Sequence, residues 1–214
     1  MTTITGTMEP SFTSDWFKEN IPIWKDALAD LRGKPHVQFL EVGTHEGRSA
    51  CWLLQNILTH PTSHITCVDL FDLNEEGIEC WKALGFPVPK PGATEERFDG
   101  NIRALGAQEK VTKFKGASSV FLRSLPLAHF DGAYIDASHR ARNVLMDMML
   151  TWDTLKAGAI LILDDYEWTC FPGKPLLHPK IAIDAFLTVF AGEYIIIHKG
   201  FQVILQKNST HPQE

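Results

Sequence analysis

The sequence predicts an α/β fold: a seven-stranded, mostly parallel sheet with helices on both faces and a C-terminal antiparallel hairpin. Three observations carry this. Strand-like and helix-like segments alternate five times along the chain, the pattern of repeated β-α units. The last two strand-like runs are separated only by Lys199-Gly200, a turn too tight for anything but a hairpin. Finally, 214 residues with 44% hydrophobic and 21% charged composition suit one globular domain with a substantial core.

The elements follow in order. Phe17, Ile21, Trp24, Leu28 and Leu31 repeat at helical spacing, with Pro22 welcome in a first turn and Gly33 and Pro35 ending the run. A strand is expected from Val37 to Val42. The loop Gly43-Thr-His-Glu-Gly47 leads into a helix bearing Ala50, Leu53, Leu54, Ile57 and Leu58, closed by His60-Pro61. The second strand runs from Ile65 to Leu70. Residues Asn74 to Thr94 hold three prolines and three glycines and read as an inserted loop. Phe98, Ile102 and Leu105 mark a helix, Val111 to Lys115 a third strand, and Ser118 to Leu125 a short helix. The fourth strand is Phe130 to Asp136. A helix from about Asn143 to Lys156 is stopped by Gly158. The fifth strand, Ala159 to Leu163, ends in Asp164-Asp165. A Pro/Gly-rich loop from Phe171 to Pro179, a helix from Ile181 to Phe190, and the hairpin strands Tyr194–His198 and Phe201–Gln206 complete the chain.

Composition excludes several classes. Twenty Lys and Arg against 26 Asp and Glu give a net charge of −6, unfavourable for non-specific nucleic-acid binding. No apolar run approaches the ~20 residues of a membrane span. The first ten residues lack the basic and apolar regions of a secretory signal. Cys51, Cys67, Cys80 and Cys170 form no Cys-x-x-Cys pair, so reduced thiols in a cytoplasmic protein are expected rather than a disulfide or zinc framework.

Ligands on such sheets gather at the carboxyl ends of the strands. The glycine loop there is informative. A dinucleotide site wants Gly-x-Gly-x-x-Gly, but Thr44 and His45 replace the middle glycine, and Glu41 stands where it would repel a pyrophosphate. A cationic ligand without phosphate fits better, and S-adenosylmethionine carries an ammonium and a sulfonium. Asp69, ending the second strand, has the spacing to accept from two ribose hydroxyls. Three further acids, Asp136, Asp164 and Asp165, end two strands expected to be neighbours. They should converge, and a divalent cation such as Mg²⁺ (or Ca²⁺ or Mn²⁺) would relieve their repulsion. His45 reads as an exposed loop residue. Trp168 could wall an acceptor or pack, and Trp16 and Phe17 could belong to a lid or a dimer contact.

Leu40-Glu-Val-Gly-Thr-His-Glu-Gly-Arg-Ser49, Cys67-Val-Asp69, Tyr134-Ile-Asp-Ala-Ser-His139 and Ile162-Leu-Asp-Asp-Tyr166 together resemble the class I S-adenosylmethionine-dependent methyltransferases. The similarity is greatest to the bacterial macrocin-type sugar O-methyltransferases and looser to catechol-type enzymes. The resemblance spans about Val37 to Gln206 and implies a Rossmann-like sheet. It implies that Glu41, Gly43, Thr44, Gly47 and Ser49 hold the methionine part of the cofactor, Asp69 the ribose and Ser118 the adenine edge, with Asp136 beside the methyl donor. The metal-dependent members imply Mg²⁺ on Asp136, Asp164 and Asp165. Catechol-type enzymes carry a basic side chain three residues after the strand-four Asp; here that is His139, a base for the acceptor hydroxyl. The implied organisation is an N-terminal helical segment over residues 1–35, a methyltransferase domain over 36–207 and a tail over 208–214. The implied acceptor is a small-molecule hydroxyl, on a sugar or a catechol, with neither nucleic acid nor membrane as partner and a homodimer as an option. A non-catalytic binding module and, more remotely, a dinucleotide oxidoreductase stay open as alternatives.

Overall fold

The computed structural model describes residues 9–209. Seven strands form one sheet in the order β3-β2-β1-β4-β5-β7-β6: β1 (Gln38–Val42), β2 (His64–Asp69), β3 (Val111–Lys115), β4 (Phe130–Ile135), β5 (Leu155–Leu163), β6 (Tyr194–Lys199) and β7 (Val203–Lys207). β1 pairs in parallel with β2 and β4, β2 with β3, and β4 with β5. β7 runs antiparallel to both β5 and β6, as the hairpin predicts. The strand order reverses between β1 and β4, which opens the crevice that such sheets use for ligands.

Period-two alternation distributes the core. Phe39 and Ile162 pack into one apolar layer with Trp24, Leu53 and Phe98. Leu40, Val42, Leu161 and Leu163 face the other way, onto Met148, Trp152 and Phe186. The first layer is covered by α1 (Ile21–Ala27), α2 (Arg48–Asn56) and α4 (Ala93–Ala104); the second by α6 (Ala141–Thr154) and α7 (Pro179–Val189). The short helices α3 (Glu75–Ala83) and α5 (Ser118–Phe121) lie in the connections after β2 and β3. Among the described residues no helix is long and apolar enough to cross a membrane. None of the four cysteines is in a disulfide, and Cys51, Cys67 and Cys80 are buried.

Two element expectations are corrected. The Asn74–Thr94 insertion is not a plain loop: its first part is α3, whose start is capped by the Asn74 side chain accepting from the Gly77 N–H at 2.9 Å. The prolines lie after the helix, which ends at left-handed Gly85, φ +77°. Gly158 does not stop a helix; it sits at φ +79° inside β5, where the register against β4 shifts between Phe130 and Gly132. Phe17 is 5% exposed and packs edge-on to Trp24 at 4.8 Å.

Candidate functional site

The carboxyl ends of β1, β2, β4 and β5 form the site. Three non-glycine residues there adopt positive φ, His45 at 48°, Phe71 at 56° and Asp165 at 61°. Such backbone is uncommon outside glycine and collects where a fold over-determines a functional loop.

Glu41 is the centre of the glycine loop. It is fully buried, accepts from the Thr44 hydroxyl at 2.5 Å and from the Ser49 hydroxyl, and lies 3.7 Å from Cys67 Sγ. It therefore braces the loop from beneath, and Thr44 and Ser49 stand between it and the crevice. Gly43, at φ +90°, approaches the Asp136 backbone so closely that a Cβ would lie 2.1 Å from its carbonyl oxygen. Gly47 caps α2 in the left-handed conformation at φ +79°, directing the helix N-terminus toward the crevice. Asp69 accepts from the His45 N–H at 2.8 Å and the Phe71 N–H at 2.6 Å, which orients its carboxylate. Ser118 donates to Asp147 at 2.8 Å, so its hydroxyl proton is directed at α6. His45 is not the exposed loop residue expected: its ring lies 5.7 Å from Trp81 and 6.1 Å from Trp16, and Nε2 is buried without a partner.

Burial pushes the Glu41 carboxyl up to about 7, against the Ser49 and Thr44 hydrogen bonds that lower it. A carboxyl raised in the folded state holds an extra proton relative to the unfolded chain between 4.5 and about 7. Stability therefore falls as pH rises through that window. The full effect is of order 3 kcal/mol at 1.36 kcal/mol per unit. Glu41→Gln removes the titrating group. Urea unfolding at about pH 5 and about pH 8 should show a smaller loss of stability at the higher pH in the variant than in the native chain. Equal losses in the two proteins would rule out Glu41 as the source.

The second half of the site is acidic. Asp136 and Asp164 share one hydroxyl: Tyr134 Oη lies 2.8 Å from Asp136 Oδ2 and also hydrogen-bonds Asp164 Oδ2. Asp164 Oδ2 accepts from Gln202 Nε2 at 2.8 Å, and Oδ1 from the Asp165 N–H at 2.8 Å. Asp165 Oδ2 lies 2.9 Å from His139 Nε2. The His139 ring stacks on Trp168, with centroids 4.2 Å apart and planes at 28°. Water reaches Asp136 in the open crevice. The protein packed around it, then the Asp164 and Asp165 charges, push its carboxyl well above the usual range. Burial, then the Asp165 charge, raise Asp164 to about 6.

The three acids are thus neighbours, as predicted, but they do not close round a common point. Among the described residues no group of three or more His, Cys, Asp or Glu side chains is arranged to hold a metal ion. One oxygen of each is engaged elsewhere, Asp164 Oδ2 by Tyr134 and Gln202 and Asp165 Oδ2 by His139. In donor chemistry the set still fits a hard divalent cation, being all carboxylate oxygen and crowded for want of positive charge.

The sequence reading missed three contributors. Gln202 is invisible because its partner is 38 residues away; Tyr134 stands in a quoted motif two residues from Asp136, but its second partner, Asp164, is 30 residues away. Glu46 carries the third contribution. Its carboxylate accepts from the Thr13 N–H at 2.7 Å and pairs with Arg97 at 2.9 Å, and its carbonyl accepts from Asn101 at 2.9 Å. This ties the N-terminal segment and α4 to the glycine loop.

A mostly parallel sheet with a buried acid beside its glycine loop, a second acid ending β2 and an acid–histidine cluster after β4 and β5 defines a doubly wound α/β protein with its candidate site at the strand ends. The chain matches the family described as "Methyltransferase domain" over residues 40–166, and it belongs to that family. No curated protein matches it. Solved structures similar to it share the fold at low identity. An rRNA methylase from Streptococcus thermophilus is 11% identical, with a TM-score of 0.58 over 92% of this chain and 99% of that one. The O-methyltransferase TomG from Streptomyces achromogenes, in complex with SAM, is 15% identical, with a TM-score of 0.58 over 87% and 80%. MycE methyltransferase of the mycinamycin biosynthetic pathway, in complex with Mg and SAH, is 15% identical, with a TM-score of 0.59 over 92% of this chain and 51% of that one.

Proposed function

We propose that this methyltransferase transfers the S-adenosylmethionine methyl group to a hydroxyl of a small molecule, sugar or catechol-like, with His139 as the base. The observation that carries the reading is the His139–Asp165 pair at 2.9 Å, with His139 stacked on Trp168. A carboxylate on Nε2 favours the tautomer with its proton there, which makes Nδ1 the basic nitrogen. Trp168 supplies a flat apolar wall beside the base, suited to a sugar or aromatic ring. His139 would take the acceptor O–H proton, and S-adenosylmethionine, when bound, would supply the methyl group to that oxygen and leave as S-adenosylhomocysteine. Asp69 takes the ribose hydroxyls. Gly43, Thr44, Gly47 and Ser49 cradle the methionine part, with Glu41 bracing them. Asp136, Asp164 and Asp165 would hold a divalent cation, which when bound supplies Lewis-acid polarisation of the acceptor oxygen.

The test begins with calorimetry. S-Adenosylhomocysteine should bind at micromolar Kd without added metal. Mg²⁺ titrated into that complex should give a further heat that Asp136→Asn abolishes; absence of that heat removes the metal from the proposal. Transfer from labelled S-adenosylmethionine to a panel of sugars, catechols and rRNA then separates acceptors. Two observations point away from RNA: the net charge of −6 and the three-acid cluster, both repelling phosphate. Methylation of rRNA alone would overturn the small-molecule reading, although one similar fold is named an rRNA methylase.

A further inference from the structure

A buried polar chain runs from α1 to the acid cluster. Trp24, fully buried, donates its indole N–H to Gln202 Oε1 at 2.8 Å. Gln202, 1% exposed, donates Nε2 to Asp164 Oδ2 at 2.8 Å. An indole N–H can only donate, so it fixes which end of the amide faces it and thereby aims the NH₂ group at Asp164. Tyr134 donates its hydroxyl to the same Oδ2, and its ring lies edge-on to Trp24 at 4.7 Å. The hairpin segment that carries Gln202 is itself pinned, because the Phe201 carbonyl accepts from the Tyr166 N–H at 2.8 Å.

We propose that Gln202, locked by Trp24, is a positioning residue for Asp164, and that α1 and the β6–β7 hairpin are through it part of the functional site. This rests on the methyltransferase reading above. Oδ2 faces the Gln202 amide N–H and the Tyr134 hydroxyl, which Asp136 shares. Oδ1, with one backbone donor from Asp165, is left as the oxygen that can serve a ligand in the crevice. Nothing in the packing alone calls for these polar groups. Apolar side chains of similar volume would fill the same space, beside the layer that holds Trp24 and Tyr134, without desolvation cost. The polar chain earns its place at its far end, where it holds one carboxylate oxygen inward and turns the other outward. Partners of this kind around a ligating carboxylate typically change metal affinity about 10- to 100-fold when removed.

Two variants test it. Gln202→Met keeps the volume and removes both hydrogen bonds. Gln202→Glu keeps the acceptor for Trp24 and puts an oxygen where the donor was. Crystal structures of both with S-adenosylhomocysteine should show the Asp164 carboxylate turned from its native orientation, with S-adenosylhomocysteine affinity within about twofold of native. Mg²⁺ affinity of the same complexes should fall at least about tenfold. Asp164 unmoved in both variants, or unchanged Mg²⁺ affinity where native binding is measured, would overturn the proposal. If Gln202→Met does not fold, the Gln202→Glu structure decides alone. The Asp164 orientation is read without any methyl acceptor, so a chain that transferred no methyl group would defeat the functional reading while this test still returned its own answer.

Discussion

Gly43→Ala is expected to destroy the cofactor site and to cost about 3–5 kcal/mol of stability. The added Cβ would lie 2.1 Å from the Asp136 carbonyl oxygen, 2.4 Å from its carbon and 2.6 Å from Ala137 Cα, all backbone atoms that cannot rotate away. The φ of +90° adds strain of its own. Relief requires the ends of β1 and β4 to separate, yet the Gly43 N–H is bound to the Val68 carbonyl and the Asp136 N–H to the Val42 carbonyl, each at 2.8 Å. The displacement would carry Thr44 away from Glu41 and Asp136 away from Tyr134 together. Urea unfolding measures the first effect and S-adenosylhomocysteine calorimetry the second. Gly106→Ala is the control. It also has positive φ, +62°, but nothing lies within 4 Å of its added Cβ, so a loss of only about 1 kcal/mol is expected. Equal costs at the two positions would show that the close approach of β1 to β4 does not matter.

His139→Gln is expected to lower kcat about 10²- to 10⁴-fold, the usual contribution of a general base. S-Adenosylhomocysteine affinity should stay within about twofold, because the residues that cradle the cofactor lie after β1 and β2. Glutamine can still reach Asp165 with an N–H, which keeps the local packing and isolates the loss of the basic nitrogen. The measurement is single-turnover transfer to whichever acceptor the panel identifies, beside calorimetry on the same sample. Full activity in the variant would sink His139 as the base; loss of cofactor binding would make it a structural residue.

How much of this was legible in the chain depends on the range of the physics. The strands were readable because burial on both faces demands continuous apolar runs such as Ile160–Leu163, and the hairpin because Lys199-Gly200 allows little else. Helix α3 was misread because prolines after it outweighed a nine-residue helix whose main signal is one Asn cap. The placement of Glu41, Gly43 and Asp69 was readable because each sits at a strand end, where topology determines location before any side chain is placed.

What the sequence by itself determined is the order of elements, the strand-end acids and a glycine loop unsuited to a pyrophosphate. Those properties follow from local periodicity and from residue chemistry at known ends. Only the tertiary structure decided what each acid does. Glu41 became a buried brace because Thr44 and Ser49 fold back over it. Asp165 turned to His139, and Asp164 to Tyr134 and Gln202, because β7 inserts beside β5 and brings residue 202 to the end of a strand 38 positions earlier. Hydrogen bonds across such separations are set by strand order and register, and neither is written in the spacing of residues along the chain.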